Sequence, residues 1–210
     1  MTPAITRWRC RLADERPAQV EHEVVSFESE ELILVDPQDH EIGHRSKSEC
    51  HDGNGVLHRA FSLFVFDRRG RVLLQQRSAQ KRLWPLYWSN SCCSHPRRGE
   101  NMDEAAHRRL HQELRLHADL RFLYKFTYHA TYEDLGAEHE LCWVYAGTTS
   151  DEVRANRTEV AAWRFVTPAA LDDELRAAPE TFTPWLKLEW NRIRKDFLKE
   201  GSKEPAWASR

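Results

Sequence analysis

Two hairpins in succession, leading through a polar loop directly into a helix, constrain this chain more than any other feature. Leu32-Ile33-Leu34-Val35 is a compact apolar run, Asp36-Pro37-Gln38-Asp39 is a turn, and His40-Glu41-Ile42-Gly43 returns. Asp39 and His40, at the turn, are expected in solvent. The second hairpin, Ala60–Phe66 and Arg71–Arg77 around Asp67-Arg68-Arg69-Gly70, is aromatic and β-branched and therefore more buried. After the loop Trp88–Glu100, Asn101 with Glu104 three residues on predicts a capped helix, and Ala106, Leu110 and Leu114 recur every fourth residue as its buried stripe. Three strands are expected next: Leu120–Tyr132, where Phe122, Tyr124, Phe126 and Tyr128 alternate, Glu138–Tyr145, and Glu159–Val166. Thr167-Pro168 opens a short helix. Thr183-Pro184 caps a last one, with Leu186, Trp190, Ile193 and Phe197 on one stripe and Trp185 just off it.

With 210 residues, one domain with a full core is expected. We divide the chain into an N-terminal extension over 1–28, a single domain over 29–200 and a tail over 201–210. Apolar runs of only a few residues exclude a transmembrane helix, and a net charge of −2 gives no electrostatic case for nucleic acid. The N-terminus has no secretory pattern. Five cysteines, two of them vicinal, make a poor disulfide framework, so a reducing, cytoplasmic setting is expected.

The residues that carry chemistry are scattered along the chain. Cys93 and His95, two apart in an extended loop, point the same way. Taken alone, such a pair is more often a small buried thiol beside a hydrogen-bonded histidine. His51 and His58 flank a glycine-rich turn at a spacing that is not a metal signature by itself. Arg77, Lys81 and Arg82 form either a solvated strand end or a phosphate grip. Arg109 and Glu113 are an i, i+4 pair, either an exposed ion pair or a pair facing the same site as Cys93. Glu138 and Glu140 share one strand face and repel unless a cation or a shared proton lies between them.

In order along the chain, His51, His58-Arg59-Ala60-Phe61-Ser62, Lys81, Trp84-Pro85, Trp88-Ser89-Asn90-Ser91-Cys92-Cys93-Ser94-His95-Pro96, Glu113-Leu114, Tyr128, Glu138-His139-Glu140 and Phe182-Thr183-Pro184-Trp185 resemble the type I isopentenyl-diphosphate isomerases of the Nudix superfamily. The resemblance runs from about Glu31 to the last helix. It implies an α/β fold, the Nudix-type α/β/α sandwich with a mixed sheet. It also implies an enzyme that interconverts isopentenyl and dimethylallyl diphosphate through a tertiary carbocation; a monomer is expected, with an oligomer left open. His51, His58, His95, Glu138 and Glu140 would hold one Mn2+ or Zn2+, and Glu113 would help hold a Mg2+ on the diphosphate. Lys47, Arg77, Lys81, Ser94 and Arg109 would bind the diphosphate. Cys93 and Glu140 would transfer protons with Tyr128 assisting, and Trp185 would face the cation. Nudix hydrolases carry Arg-Glu-apolar-x-Glu-Glu on their helix. Here the run is Arg108-Arg109-Leu110-His111-Gln112-Glu113, which keeps only the last carboxylate. Too few oxygen ligands remain for a hydrolytic metal cluster. The alternatives are a diphosphate hydrolase or a catalytically silent metal-binding relative.

Overall fold

The computed structural model describes residues 23–198. The expected tail over 201–210 and most of the expected extension lie outside the described residues. Both hairpins form as their turn chemistry dictates. Strands β1 (Glu31–Val35) and β2 (Glu41–Ser46) pair antiparallel, and β3 (His58–Phe66) and β4 (Val72–Arg77) meet around a turn tied by Asp67, whose Oδ1 accepts from the backbone of Arg69 and Arg71. Between the hairpins lies a single helical turn, α1 (Lys47–His51), started by a reciprocal capping box of Ser46 and Glu49. Two short strands, β5 (Trp88–Ser89) and β6 (Cys92–Ser94), precede helix α2 (Met102–Leu114), whose N-cap Asn101 accepts from the Glu104 amide as expected. Then come β7 (Arg121–Tyr132), β8 (Gly136–Thr148), β9 (Val160–Val166), α3 (Pro168–Ala177) and α4 (Pro184–Asp196).

The strands join one mixed sheet in which β3 is central. It pairs parallel with β8 along its length and antiparallel with β6 at Phe61–Leu63, while β4 turns away to pair with β9 and β5. Successive β3 side chains point to opposite faces. Ala60, Phe64 and Phe66 pack with Leu171 of α3 and Leu186, Trp190 and Ile193 of α4, whereas Phe61, Leu63 and Val65 pack with Ala106, Leu110 and Leu114 of α2. Helices on both faces of one mixed sheet give the expected α/β/α sandwich.

Four local expectations need correction. Asp39 is not solvated. Its side chain is only 7% exposed and accepts from Arg59 Nε at 2.7 Å, Lys125 Nζ at 2.6 Å and Trp143 Nε1 at 2.9 Å. The β7 alternation breaks at a bulge between Phe122 and Tyr124, which turns Phe122 to the other face, against Trp143 and Tyr145. Thr183 begins α4 without a side-chain cap, and its hydroxyl is instead 3.1 Å from Ser89 Oγ. The boundary expected at residue 28 falls inside the packed body. Val25 is buried, the Val25 carbonyl accepts from Arg109, and Lys47 donates to Ser26.

Candidate active site

The sheet pattern sets the site. Cross-strand partners share a face, so the pairs Ser62 with Cys93 and His58 with Glu140 place side chains from β3, β6 and β8 on one surface. His95, two residues past Cys93, and Glu138, two before Glu140, follow the same parity. The fifth member, His51, ends α1, which lies against the start of β8 at Gly136. That residue has φ of 150°, and a Cβ there would sit 2.2 Å from the His51 carbonyl oxygen, so only glycine allows this approach.

Five groups therefore converge: His51, His58, His95, Glu138 and Glu140 offer nitrogen or oxygen atoms within 4.8 Å of one another, and the imidazole centroids are 4.8 to 5.3 Å apart. His58 Nδ1 lies 2.7 Å from the Val56 carbonyl, an acceptor only, so Nδ1 carries the hydrogen and the Nε2 lone pair faces the cluster. His58 Nε2, His51 Nε2 and Glu138 Oε2 are buried without a hydrogen-bond partner among the described residues. His51 Nε2 and Glu138 Oε2 are 3.0 Å apart, yet they are not aligned as donor and acceptor. Buried polar atoms are normally satisfied. His95 Nε2 and Glu140 Oε1 lie within hydrogen-bond distance at 3.0 Å, but the three atoms left without a partner, gathered with the others inside 4.8 Å, fit a divalent metal ion, with imidazole nitrogens and carboxylate oxygens as its shell.

The protonation of the cluster follows from its burial. Burial, then the neighbouring His51, pushes His58 down to about 4, and burial with the other two imidazoles holds His95 well below its usual range. The carboxylates divide. Burial acts against ionising Glu138, but the facing imidazoles, His51 first, draw its carboxyl well below normal. Burial and the Glu138 charge push Glu140 well above normal. Tyr128, directly opposite Glu140 across β7 and β8, donates to its Oε2 at 2.7 Å.

Beside the cluster is the thiol. Cys93 Sγ donates to Asn90 Oδ1 at 2.7 Å and accepts from Trp185 Nε1 at 3.2 Å. The Asn90 amide has one orientation, because its Nδ2 donates to the Leu63 and Cys92 carbonyls and leaves Oδ1 for the sulfur. Burial and Glu189 push the thiol up to about 12, so it carries its proton at neutral pH. Trp185 is buried, with Trp84 edge-on at 5.3 Å and Tyr128 at 6.1 Å between ring centres. The aromatic wall thus lies against both the thiol and the Glu140 side.

At the other end of the same cavity, of about 300 Å³, stand the expected basic residues, and Lys47, Arg77, Lys81, Ser94 and Arg109 all line it. The Arg109–Glu113 pair is buried rather than exposed. Arg109 also reaches Glu159 at 3.2 Å, and Glu159 in turn holds Lys81. Arg77 donates to the Leu83 and Trp84 carbonyls and lies 5.2 Å over the Trp185 ring. Arg82 ties Asp52 to the Leu135 carbonyl at the cavity rim. Gln112 turns to Arg108, 3.1 Å away. Every site residue expected from the sequence is in or beside this cavity. Glu159, Asn90, Ser62 and the segment 24–28 were not expected there. Asn90 and Ser62 were visible within quoted motifs, while Glu159 and the segment carry no local signal.

The sequence matches the NUDIX domain family over residues 56–186. It is 41% identical over 166 residues to isopentenyl-diphosphate Delta-isomerase 1 of Photorhabdus laumondii, covering 78% of this chain and 94% of that one. It is 43% identical to the isopentenyl-diphosphate Delta-isomerase of Serratia proteamaculans, over 74% of this chain and 87% of that one. Among solved structures, DR0079 from Deinococcus radiodurans superposes with a TM-score of 0.64 at 22% identity, over 78% of this chain and 98% of that one, a likeness of fold. The chain belongs to the isopentenyl-diphosphate Delta-isomerase family, built on the NUDIX domain.

Proposed function

We propose that this protein interconverts isopentenyl and dimethylallyl diphosphate, with Cys93 and Glu140 as its proton-transfer pair. One observation carries the reading: a cation-seeking cluster, a protonated thiol and a buried indole share one cavity with a set of basic side chains. In this reading Lys47, Arg77, Lys81, Ser94 and Arg109 bind the diphosphate, and Glu113 holds its Mg2+. Mn2+ or Zn2+ fits the three imidazoles and two carboxylates. When bound, that ion offsets the repulsion between Glu138 and Glu140 and tunes the acidity of Glu140.

The chemistry requires one proton added at C4 and one removed from C2, with a tertiary cation at C3 between the two events. An unactivated alkene is a feeble base, so the acid has to act in a dry pocket. Strands β6 and β8 flank β3 and bring Cys93 and Glu140 to the cavity from opposite sides. Each gives a proton in one direction of the reaction and takes one in the other. Tyr128 holds the Glu140 carboxyl in place. Trp185, fixed by its contact with Cys93, turns its π-face to the cation, an attraction of roughly 2 kcal/mol when desolvated. Trp84, Tyr128 and Trp185 together exclude water that would capture the cation.

We read the protein as a monomer, and the four free cysteines among the described residues fit a cytoplasmic location. A Nudix hydrolase would need carboxylates where Arg109 and Gln112 stand. The test is to supply isopentenyl diphosphate with Mg2+ and Mn2+ and follow both products. Dimethylallyl diphosphate without inorganic phosphate is expected, and phosphate release without isomerised product would overturn the reading.

A further inference from the structure

Glu159 has no part in the chemistry described above, yet the contacts of the basic end meet on it. It directly precedes β9, is only 4% exposed and lines the cavity. Its backbone carbonyl accepts from the Ser78 amide at 2.9 Å, and the Ser78 carbonyl accepts from the Lys81 amide at 3.1 Å. Its Oε2 accepts from Lys81 Nζ and, at 3.2 Å, from Arg109 Nη2. One residue therefore holds the Lys81 loop by its backbone and two cations, from that loop and from α2, by a single carboxylate oxygen.

A carboxylate on the wall of a cavity that takes a diphosphate should repel it. The bonding of its partners shows what it can give in return. Arg109 Nη1 donates to the Val25 carbonyl at 2.8 Å, and Nη2 is shared between Glu113 and Glu159, so the guanidinium is fixed at three points while its Nε is buried without a partner among the described residues. The Lys81 ammonium has three hydrogens, of which Glu159 takes one. Both cations thus keep donors free after Glu159 has set their place, and two cations around one carboxylate still leave a net positive charge. Lysine and arginine lose the most rotamer freedom when ordered, and a site that orders them beforehand spares its ligand that cost.

We propose that Glu159 is a positioning residue for the diphosphate: its carboxylate fixes Lys81 and Arg109 before the substrate arrives, and this ordering outweighs the repulsion of a like charge near the phosphates. The inference rests on the isomerase reading and deepens it by naming the group that orders its diphosphate grip.

The test compares wild type, Glu159→Gln, Glu159→Asp, Lys81→Met and the Glu159→Gln/Lys81→Met double variant, each as the metal-loaded full chain at saturating Mg2+. Turnover on isopentenyl diphosphate is measured beside isothermal titration with inorganic diphosphate, which carries only the group that the basic end would hold. Glu159→Gln keeps the shape and loses the charge. Its KM should rise about tenfold and its affinity for inorganic diphosphate fall by the same factor, the scale of two long side chains released, with kcat within about twofold of wild type. Glu159→Asp keeps the charge on a shorter stem that Lys81 can follow and Arg109 cannot, so its KM should rise only about threefold. That variant reads the same effect should the glutamine variant fail to fold. Added to Lys81→Met, Glu159→Gln should raise KM by about threefold rather than tenfold, because only Arg109 is left to position.

An unchanged or lower KM in Glu159→Gln, a loss of kcat in its place, a Glu159→Asp chain that binds no better than Glu159→Gln, or effects that multiply in full in the double variant overturn the proposal and leave the isomerase reading intact. A wild type that binds inorganic diphosphate without isomerising removes the isomerase reading, and the titrations then still decide whether Glu159 orders the grip.

Discussion

At the basic end of the cavity Arg109 already lies against Glu113 and Glu159, Lys81 against Glu159, and Lys47 between Ser26 and Glu28. At the histidine end of the same cavity, His51, His58 and Glu138 keep buried atoms that nothing among the described residues satisfies. Both ends bury charge, which costs several kcal/mol per isolated ion. One end offsets that cost with its own counter-charges, and the other has a donor set that could hold a cation from outside. In the function proposed above, the basic end is held together before the diphosphate arrives, whereas the histidine end is complete only when loaded.

The sharpest way to break this contrast is to remove a ligand. His58→Ala should abolish tight binding of Mn2+ or Zn2+ and lower kcat on the order of 10³-fold, within the range that acid–base groups supply. Metal content after dialysis and turnover on isopentenyl diphosphate check both. Chelator treatment of wild type should lower Tm, and adding the metal at a hundred times its Kd should return about 2.7 kcal/mol. His58→Ala should show no such response.

An effect of comparable size but of a different kind is expected at the basic end. Arg109→Met leaves Glu113 and Glu159 buried without their shared partner, so the fold should lose about 3–5 kcal/mol in urea melts. KM for the diphosphate should rise while metal binding at the histidines is retained. Loss of that metal in Arg109→Met would mean that the two ends are one electrostatic unit.

The smallest effect is a pH slope. Burial raises the Glu159 carboxyl, but Lys81 and Arg109 overcome it and bring it down to about 2. A carboxyl lower in the folded than in the unfolded chain stabilises fully above its unfolded value near 4.5. That contribution is lost as pH falls from there toward 2. Acid titration of stability should show this slope, on the order of 3 kcal/mol, and Glu159→Gln should flatten it.

The same contrast explains what was legible before the fold was known. Hairpins, the capped helix and its stripe are local patterns, and residues 31–177 carry them plainly. The histidine cluster draws on separate segments, and only their joint resemblance to a family brought His51, His58 and Glu138 together. Glu159 and Glu189 escaped, because a lone glutamate in a strand or helix reads as a solvated face until its neighbours are known. Asp39 escaped for the same reason: a turn aspartate looks exposed, and its partners Arg59, Lys125 and Trp143 are distant in sequence. The Phe122 reversal follows from a one-residue bulge, which alternation cannot reveal.

Isomerisation in deuterated water tests most directly the proposed pairing of Cys93 and Glu140 as proton-transfer groups beside a metal-binding cluster. Wild type, loaded with Mg2+ and Mn2+, should place deuterium in dimethylallyl diphosphate, and Cys93→Ala and Glu140→Gln should each lose on the order of 10²- to 10⁴-fold in that incorporation. Product formed without deuterium, or either variant incorporating it at the wild-type rate, would contradict the assignment.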